Sequence, residues 1–222
     1  MASIDKNGKL IYDKITQPSV VQANYLASMQ DKYIVDDGIS IYTGLMPWNW
    51  GTPPCSHTEI GFFVDGELWF FSSTSRKELG TTGKNGPRWR KASDLLHNYD
   101  RWLLQTKALG KIYDIGTGKG YILPGCRFKI EDKINRANSL IGLRYDMRGV
   151  FTDFIIPWAI FHGTVPTDVQ IAKLKKIYCS KAVHYVDTGK LAVYSPKRRY
   201  EWAKDNRYVT VDDTEVFLTL RG

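Results

Sequence analysis

A cysteine that opens a helix, and a histidine that shares a strand face with a carboxylate, are the residue types of thiol catalysis. The cysteine is Cys179, in Ile177-Tyr178-Cys179-Ser180-Lys181-Ala182-Val183, where an apolar run passes into a helical pattern. The histidine is His57, in Ser56-His57-Thr58-Glu59-Ile60-Gly61-Phe62-Phe63. Alternation there puts His57, Glu59 and Gly61 on one face of a strand and Thr58, Ile60 and Phe62 on the other. Same-face neighbours lie roughly 7 Å apart, so Glu59 can, directly or through a neighbour, orient an imidazole that activates a thiol. Cys179 in the first turn of a helix would feel the positive end of the backbone dipole, which favours thiolate. His184, five residues further on, would face away from Cys179 and is not the base. Each residue also has a plainer use, as a satisfied strand histidine or an inert buried cysteine.

The elements that must position these groups can be read outward from them. Asp65-Gly66 is a hairpin turn, with Leu68 to Ser72 returning antiparallel to the histidine strand. A pairing of Val64 with Glu67 sets Ser72 opposite Glu59, which makes Ser72 a second candidate for the orienting group or for a hydrogen bond that fixes Glu59. The third member of the site is left open between Glu59 and Ser72, with the carboxylate preferred because it stabilises an imidazolium more strongly. The helix carrying Cys179 should end near Gly189. Ile130 to Leu143 has helical spacing and is followed directly by Tyr145-Asp146.

In order, the chain contains Ser56-His57-Thr58-Glu59, Phe70-Phe71-Ser72-Ser73-Thr74-Ser75, Tyr145-Asp146-Met147-Arg148-Gly149 and Tyr178-Cys179-Ser180. This succession, with the histidine strand first and the cysteine helix last, resembles the circularly permuted branch of the NlpC/P60 papain-like cysteine hydrolases, phage-encoded members above all. It spans about residues 35–190, and order and spacing carry it, because each piece is short. The resemblance implies a papain-like α+β fold, an antiparallel sheet packed on helices. It also implies cleavage of an amide or peptide bond, with cell-wall peptide as the first substrate to consider. Tyr145 would then look onto the site and steady the thiolate or the oxyanion. Lys181 departs from the pattern, standing where the family usually has Glu.

Composition sets the outer limits. With 222 residues, 43% hydrophobic and 24% charged, the chain has the makings of one globular unit and not of a fibrous or disordered one. We expect residues 1–34 to be an N-terminal extension with a helix and residues 35–222 to be the hydrolase domain. The net charge of +8 suits an anionic polymer, a membrane surface or nucleic acid, but a solvated surface is the preferred reading, since no basic run is long and acids are interspersed. Basic residues gather at Arg88, Arg90 and Lys91, at Lys173, Lys175 and Lys176, and at Lys197, Arg198 and Arg199. Cys55, Cys126 and Cys179 have neither metal spacing nor a disulfide framework, so a reduced compartment is expected, with no metal and no cofactor. The N-terminus lacks the apolar core of a signal peptide, and no stretch approaches the ~20 apolar residues of a membrane span. These features fit cytoplasmic synthesis, with virion association if the chain is phage-borne. The competing reading is a phage structural or binding component that keeps the hydrolase fold, and a third is a nucleic-acid binder.

Elsewhere the patterns predict a helix from Val20 to Lys32, a strand over Ile39 to Leu45 and a loop with Trp48 and Trp50. They also predict a loop from Arg76 to Arg90, a helix from Ser93 to Leu104 carrying His97, and an apolar core run from Val150 to Phe161. Asp114-Ile115-Gly116-Thr117-Gly118-Lys119-Gly120 has the form of a methyltransferase nucleotide loop. It reads instead as a glycine-rich hairpin, because Tyr121 to Gly125 does not continue as a helix. Closing strands are expected over Leu191 to Tyr194, Val209 to Val211 and Glu215 to Leu220.

Overall fold

The computed structural model describes residues 1–26, 55–74, 85–95, 101–114, 120–150 and 173–212. In chain order, β1 (Ser3–Ile4) and β2 (Leu10–Ile11) form a small hairpin, β3 (Ile15–Leu26) is long, and β4 (Cys55–Val64) turns into β5 (Glu67–Thr74). β6 (Gly86–Lys91) runs into the short α1 (Ala92–Leu95), and β7 (Trp102–Ala108) precedes a hairpin of β8 (Ile112–Asp114) and β9 (Gly120–Ile122). Then follow α2 (Pro124–Leu140), the parallel pair β10 (Arg144–Tyr145) and β11 (Lys176–Ile177), α3 (Cys179–Thr188), α4 (Pro196–Asp205) and β12 (Val209–Thr210). The frame is one antiparallel sheet of six strands in the order β12-β7-β3-β4-β5-β6, giving a mixed α and β architecture. No helix among the described residues is long and apolar enough to cross a membrane.

Asp65 and Gly66 both have positive φ, 50° and 85°, the backbone of a type I′ turn, and Val64 pairs with Glu67 as the sequence predicts. The register alternates side chains into two apolar clusters. Ile60, Phe62, Trp69, Phe71 and Trp89 face the helices, against Ile134 of α2 and Val183 of α3. Val21, Phe63, Phe70, Trp102 and Leu104 cluster on the opposite face. Gly61 belongs to that second face, since a Cβ there would lie 2.7 Å from the Phe70 ring. Strand alternation places His57 and Glu59 on the same side as Gly61.

The helical layer follows the expected spacing in part. α2 buries Ile130, Ile134, Ala137 and Leu140, packs on α3 and β3, and begins earlier than predicted. Its first residue is Pro124, which fits a first turn where no N–H is needed. A helix therefore does follow the glycine-rich segment. The strands flanking that segment nevertheless pair antiparallel, Tyr113 with Tyr121, as a hairpin and not as a nucleotide-binding turn. α3 ends at Gly189, left-handed at φ 76°, as its sequence indicates.

Five expectations are corrected. Residues 20–26 are strand, not helix: β3 is buried between β4 and β7, so its burial is two-sided and the spacing of Val21, Tyr25 and Leu26 misleads. The N-terminal segment is accordingly no appendage, because β3 is an inner strand and Ala2 and Leu10 join the helix-side core. Asn138 accepts from the Leu10 and Trp89 N–H groups at 3.0 and 2.9 Å and donates to the Leu10 carbonyl, tying β2 and β6 to α2. Gly86 to Arg90 is edge strand, not loop. Trp102 to Leu104 is strand, not helix. Residues 191–195 form no strand and lead into α4, capped by Ser195. The predictions for 27–54, 75–84, 96–100, 115–119, 151–172 and 213–222, with Trp48, Trp50 and His97, lie outside the described residues.

Candidate active site

The β4–β5 ladder runs from the turn only as far as Ile60 opposite Phe71. Beyond it the peptide of Thr58 no longer pairs with β5, and the start of α3 takes its place. The Ser72 hydroxyl donates to the Thr58 carbonyl at 2.8 Å, and the Thr58 N–H points to the Cys179 sulfur. One residue along β5, Ser73 donates to the Ile177 carbonyl at 2.7 Å. That carbonyl also accepts from the Asp146 N–H at 3.3 Å, so β5 and β10 together fix the residue two before the cysteine. Ser180 is held from the other side by a hydrogen bond to the Tyr194 carbonyl.

Cys179 is the first residue of α3 and is buried. Burial pushes its thiol up, but the adjacent His57, by charge and hydrogen bond, together with the N–H groups of Thr58 and Ser180, brings it net below the ordinary thiol value. His57 turns its Nε2 to Glu59 Oε1 at 3.0 Å, which leaves Nδ1 as the ring nitrogen for the thiol. Glu59 has no exposed surface and also accepts from Arg90 Nη2. Cysteine, imidazole, carboxylate and guanidinium thus form one chain of contacts from α3 through β4 to β6.

Each residue singled out in the sequence has a definite place. Cys179, His57 and Glu59 are brought together. Ser72 bonds the backbone between His57 and Glu59, so it fixes the strand, and the partner of His57 is Glu59. Tyr145 packs with Tyr178 and Val150. Burial first, and then the nearby charges of Cys179 and Asp146, raise its phenol well above the ordinary value, so it stays a proton donor. Lys181 lies over the Tyr178 ring at 5.5 Å. His184 is buried against Tyr194 and Trp202, at ring distances of 4.6 and 5.1 Å. Burial, aided by Arg199, pushes its imidazole down to about 4, so it is a neutral packing group. Cys55 is inert, pushed up to about 12 by burial. All three cysteines are free.

Sequence reasoning missed Arg90, which it grouped with Arg88 and Lys91 as surface charge. Had residues 86–91 been read as a strand, Arg90 would have fallen opposite Phe70 and on the Glu59 face, as the register shows. Also missed was a buried polar patch behind the histidine strand. There Thr58 donates to Asn24, Asn24 and Gln22 donate to Gln105, and Gln105 donates to the Tyr200 carbonyl of α4. Among the described residues, no group of three or more His, Cys, Asp or Glu is placed to hold a metal. Comparison with protein-family models, curated proteins and solved structures gave no match.

Proposed function

We propose that this chain is a thiol hydrolase of amide bonds in which Cys179 is the nucleophile, His57 the base and Glu59 the group that orients His57. The observation that carries this reading is the continuous contact from the Cys179 thiol at a helix start, through the His57 ring, to a buried carboxylate. A cysteine used only for packing would be expected above the ordinary thiol value, as Cys55 is. Within that class we place it beside the circularly permuted NlpC/P60 papain-like hydrolases. This is supported by the chain order of histidine strand and cysteine helix, and by an antiparallel sheet that carries the histidine and packs on the helix.

In the proposed reaction His57 Nδ1 takes the thiol proton and the sulfur attacks the substrate carbonyl, forming a C–S bond. The N–H groups in the first turn of α3, which have no intrahelical acceptor, steady the oxyanion, with the Tyr145 hydroxyl beside them. Collapse breaks the C–N bond, and the leaving amine takes the proton from His57. Water, activated by His57, then adds to the thioester, and the acid leaves as the thiolate is regenerated. Cell-wall peptides are the proposed substrate, which also gives the net positive charge a use against an anionic wall; virion association would bring the enzyme there.

The test is to incubate the protein with soluble cell-wall peptide fragments and follow both cleavage and the mass of the Cys179 peptide. New termini, an acyl adduct on Cys179 and loss of both in Cys179→Ala support the proposal. A reactive Cys179 that cleaves no amide across such a panel would point to the alternative, a structural or binding component that keeps the fold.

A further inference from the structure

Glu59 lies in the least hydrated part of the site, and its environment sets a problem that one further residue solves. His57 Nε2 and Arg90 Nη2 both converge on Glu59 Oε1, while Oε2 has no hydrogen-bond partner among the described residues. A carboxyl group withdrawn from water and left uncompensated takes up a proton. A protonated Glu59 would donate to Nε2, the imidazole proton would sit on Nδ1, and Nδ1 could not accept from Cys179. An ionised Glu59 does the reverse: Nε2–H donates to it, and the Nδ1 lone pair faces the sulfur. The protonation of one buried carboxylate therefore decides which way the histidine works.

Among the described residues, the charged and titratable groups around Glu59 are His57 on its own strand, Arg90 on β6, Arg88 two residues before it on the same strand face with its guanidinium also withdrawn from water, Cys179 of α3 beyond the imidazole, and Asp94 of α1 beyond Arg90. Burial pushes the Arg90 guanidinium down to about 10, with Asp94 opposing, so it is a cation at neutral pH. Resting on the thiol-hydrolase reading, we propose that Arg90 is the positioning residue of this site: its guanidinium keeps Glu59 ionised and in place, and so fixes the His57 tautomer that accepts the Cys179 proton. In this proposal Arg90 acts on the thiol through Glu59, the carboxylate its guanidinium contacts.

The experiment measures the rate of iodoacetamide labelling at the Cys179 peptide against pH, by mass, in folded variants of the full chain. In Arg90→Met the midpoint is expected to move at least about one unit toward the free-thiol value, a roughly tenfold loss of rate at pH values below the parent midpoint. Arg90→Lys, which keeps the cation but not the fork, should stay within about threefold of the parent protein. Removing Arg90 from Glu59→Gln should cost less than about threefold more, since the charge it acts on is already gone. A folded Arg90→Met with unchanged or enhanced labelling would mean that Glu59 holds its charge unaided, and would overturn the proposal. So would an equal loss from Arg90→Met with and without Glu59.

Should Arg90→Met not fold, Arg90→Gln takes its place. The ring nitrogens of His57 in the unmodified protein, read by 15N NMR, give a check without substitution. A proton on Nε2 agrees, and a neutral ring with its proton on Nδ1 contradicts. His57→Ala separates the two levels: if it leaves labelling unchanged, the thiol-hydrolase reading itself fails. If it abolishes the lowered midpoint while Arg90→Met does not, only the role of Arg90 fails.

Discussion

Asp187, near the end of α3, is the junction of the helical layer, and replacing it with Asn should have a cost that depends on pH. Its carboxylate accepts from Lys133 of α2 at 2.7 Å, Arg199 of α4 at 2.5 Å and the Tyr208 hydroxyl at 2.9 Å. Burial pushes the group up, yet Arg199 and Lys133 more than offset this and bring it down to about 2, from an ordinary value of 3.8. Because the folded value is the lower one, the unfolded chain takes the proton first as pH falls. The stabilisation is therefore complete above about pH 5 and drains away between about pH 4 and 2, and the shift corresponds to about 2 kcal/mol.

An amide mimics the protonated acid, so Asp187→Asn should lose about that much at pH 7. The loss rises toward about 4 kcal/mol if Arg199 cannot relax. Arg199 is fully buried, with Nε and Nη1 already lacking partners among the described residues. Urea unfolding of both proteins from pH 7 to 2.5 is the assay. The melting temperature at pH 7 should drop by roughly 4–8 °C for a 2 kcal/mol loss in a chain of this size. The gap between the proteins should close as pH falls below about 4. A gap under about 0.5 kcal/mol at pH 7, or one that stays constant down to pH 2.5, would refute the reasoning.

Three further outcomes are expected. Gly86→Ala should destabilise by about 1–3 kcal/mol in denaturant unfolding, because φ is +148° and a Cβ would sit 2.3 Å from the Leu143 carbonyl oxygen; a neutral result would show that this approach is not close. Ser73→Ala should cost about 1–2 kcal/mol by removing the shorter of the two hydrogen bonds to the buried Ile177 carbonyl, which keeps the one from the Asp146 N–H, and slow Cys179 labelling as well, whereas a change in stability alone would mean that β5 does not hold the nucleophile. Ile134→Ala, at a fully buried position of α2, should cost about 2–5 kcal/mol with the Cys179 midpoint unmoved; a moved midpoint would show that the core and the site are coupled.

The parts of the fold legible in the sequence were those written in local chemistry. Asp65-Gly66 admits the turn it forms, and the alternation from Thr58 to Phe62 gives the two faces of β4. Gly189 ends α3 because it can be left-handed. The misread segments were buried on both sides or at an edge. In β3, Gln22 and Asn24 lie at no exposure among apolar neighbours, hydrogen-bonded to each other and to Gln105 and Thr58, and no local pattern announces that. Trp102 and Leu104 face one cluster at period two, yet their neighbours also allow a helical period. The site was legible to the extent that its members share a strand or open a helix, as His57, Glu59 and Cys179 do. Arg90 was not, because its role arises from the register of β5 with β6, a pairing between segments of which one looks like loop.

The most direct test of the account is the pH dependence of Cys179 alkylation in the native protein and in His57→Ala. An apparent value below the ~8.5 of a free thiol is expected in the native protein, rising to or above it when the imidazole is removed. A native value at or above that of a free thiol, indifferent to His57, would contradict the pairing of Cys179 with His57 on which the proposed chemistry depends.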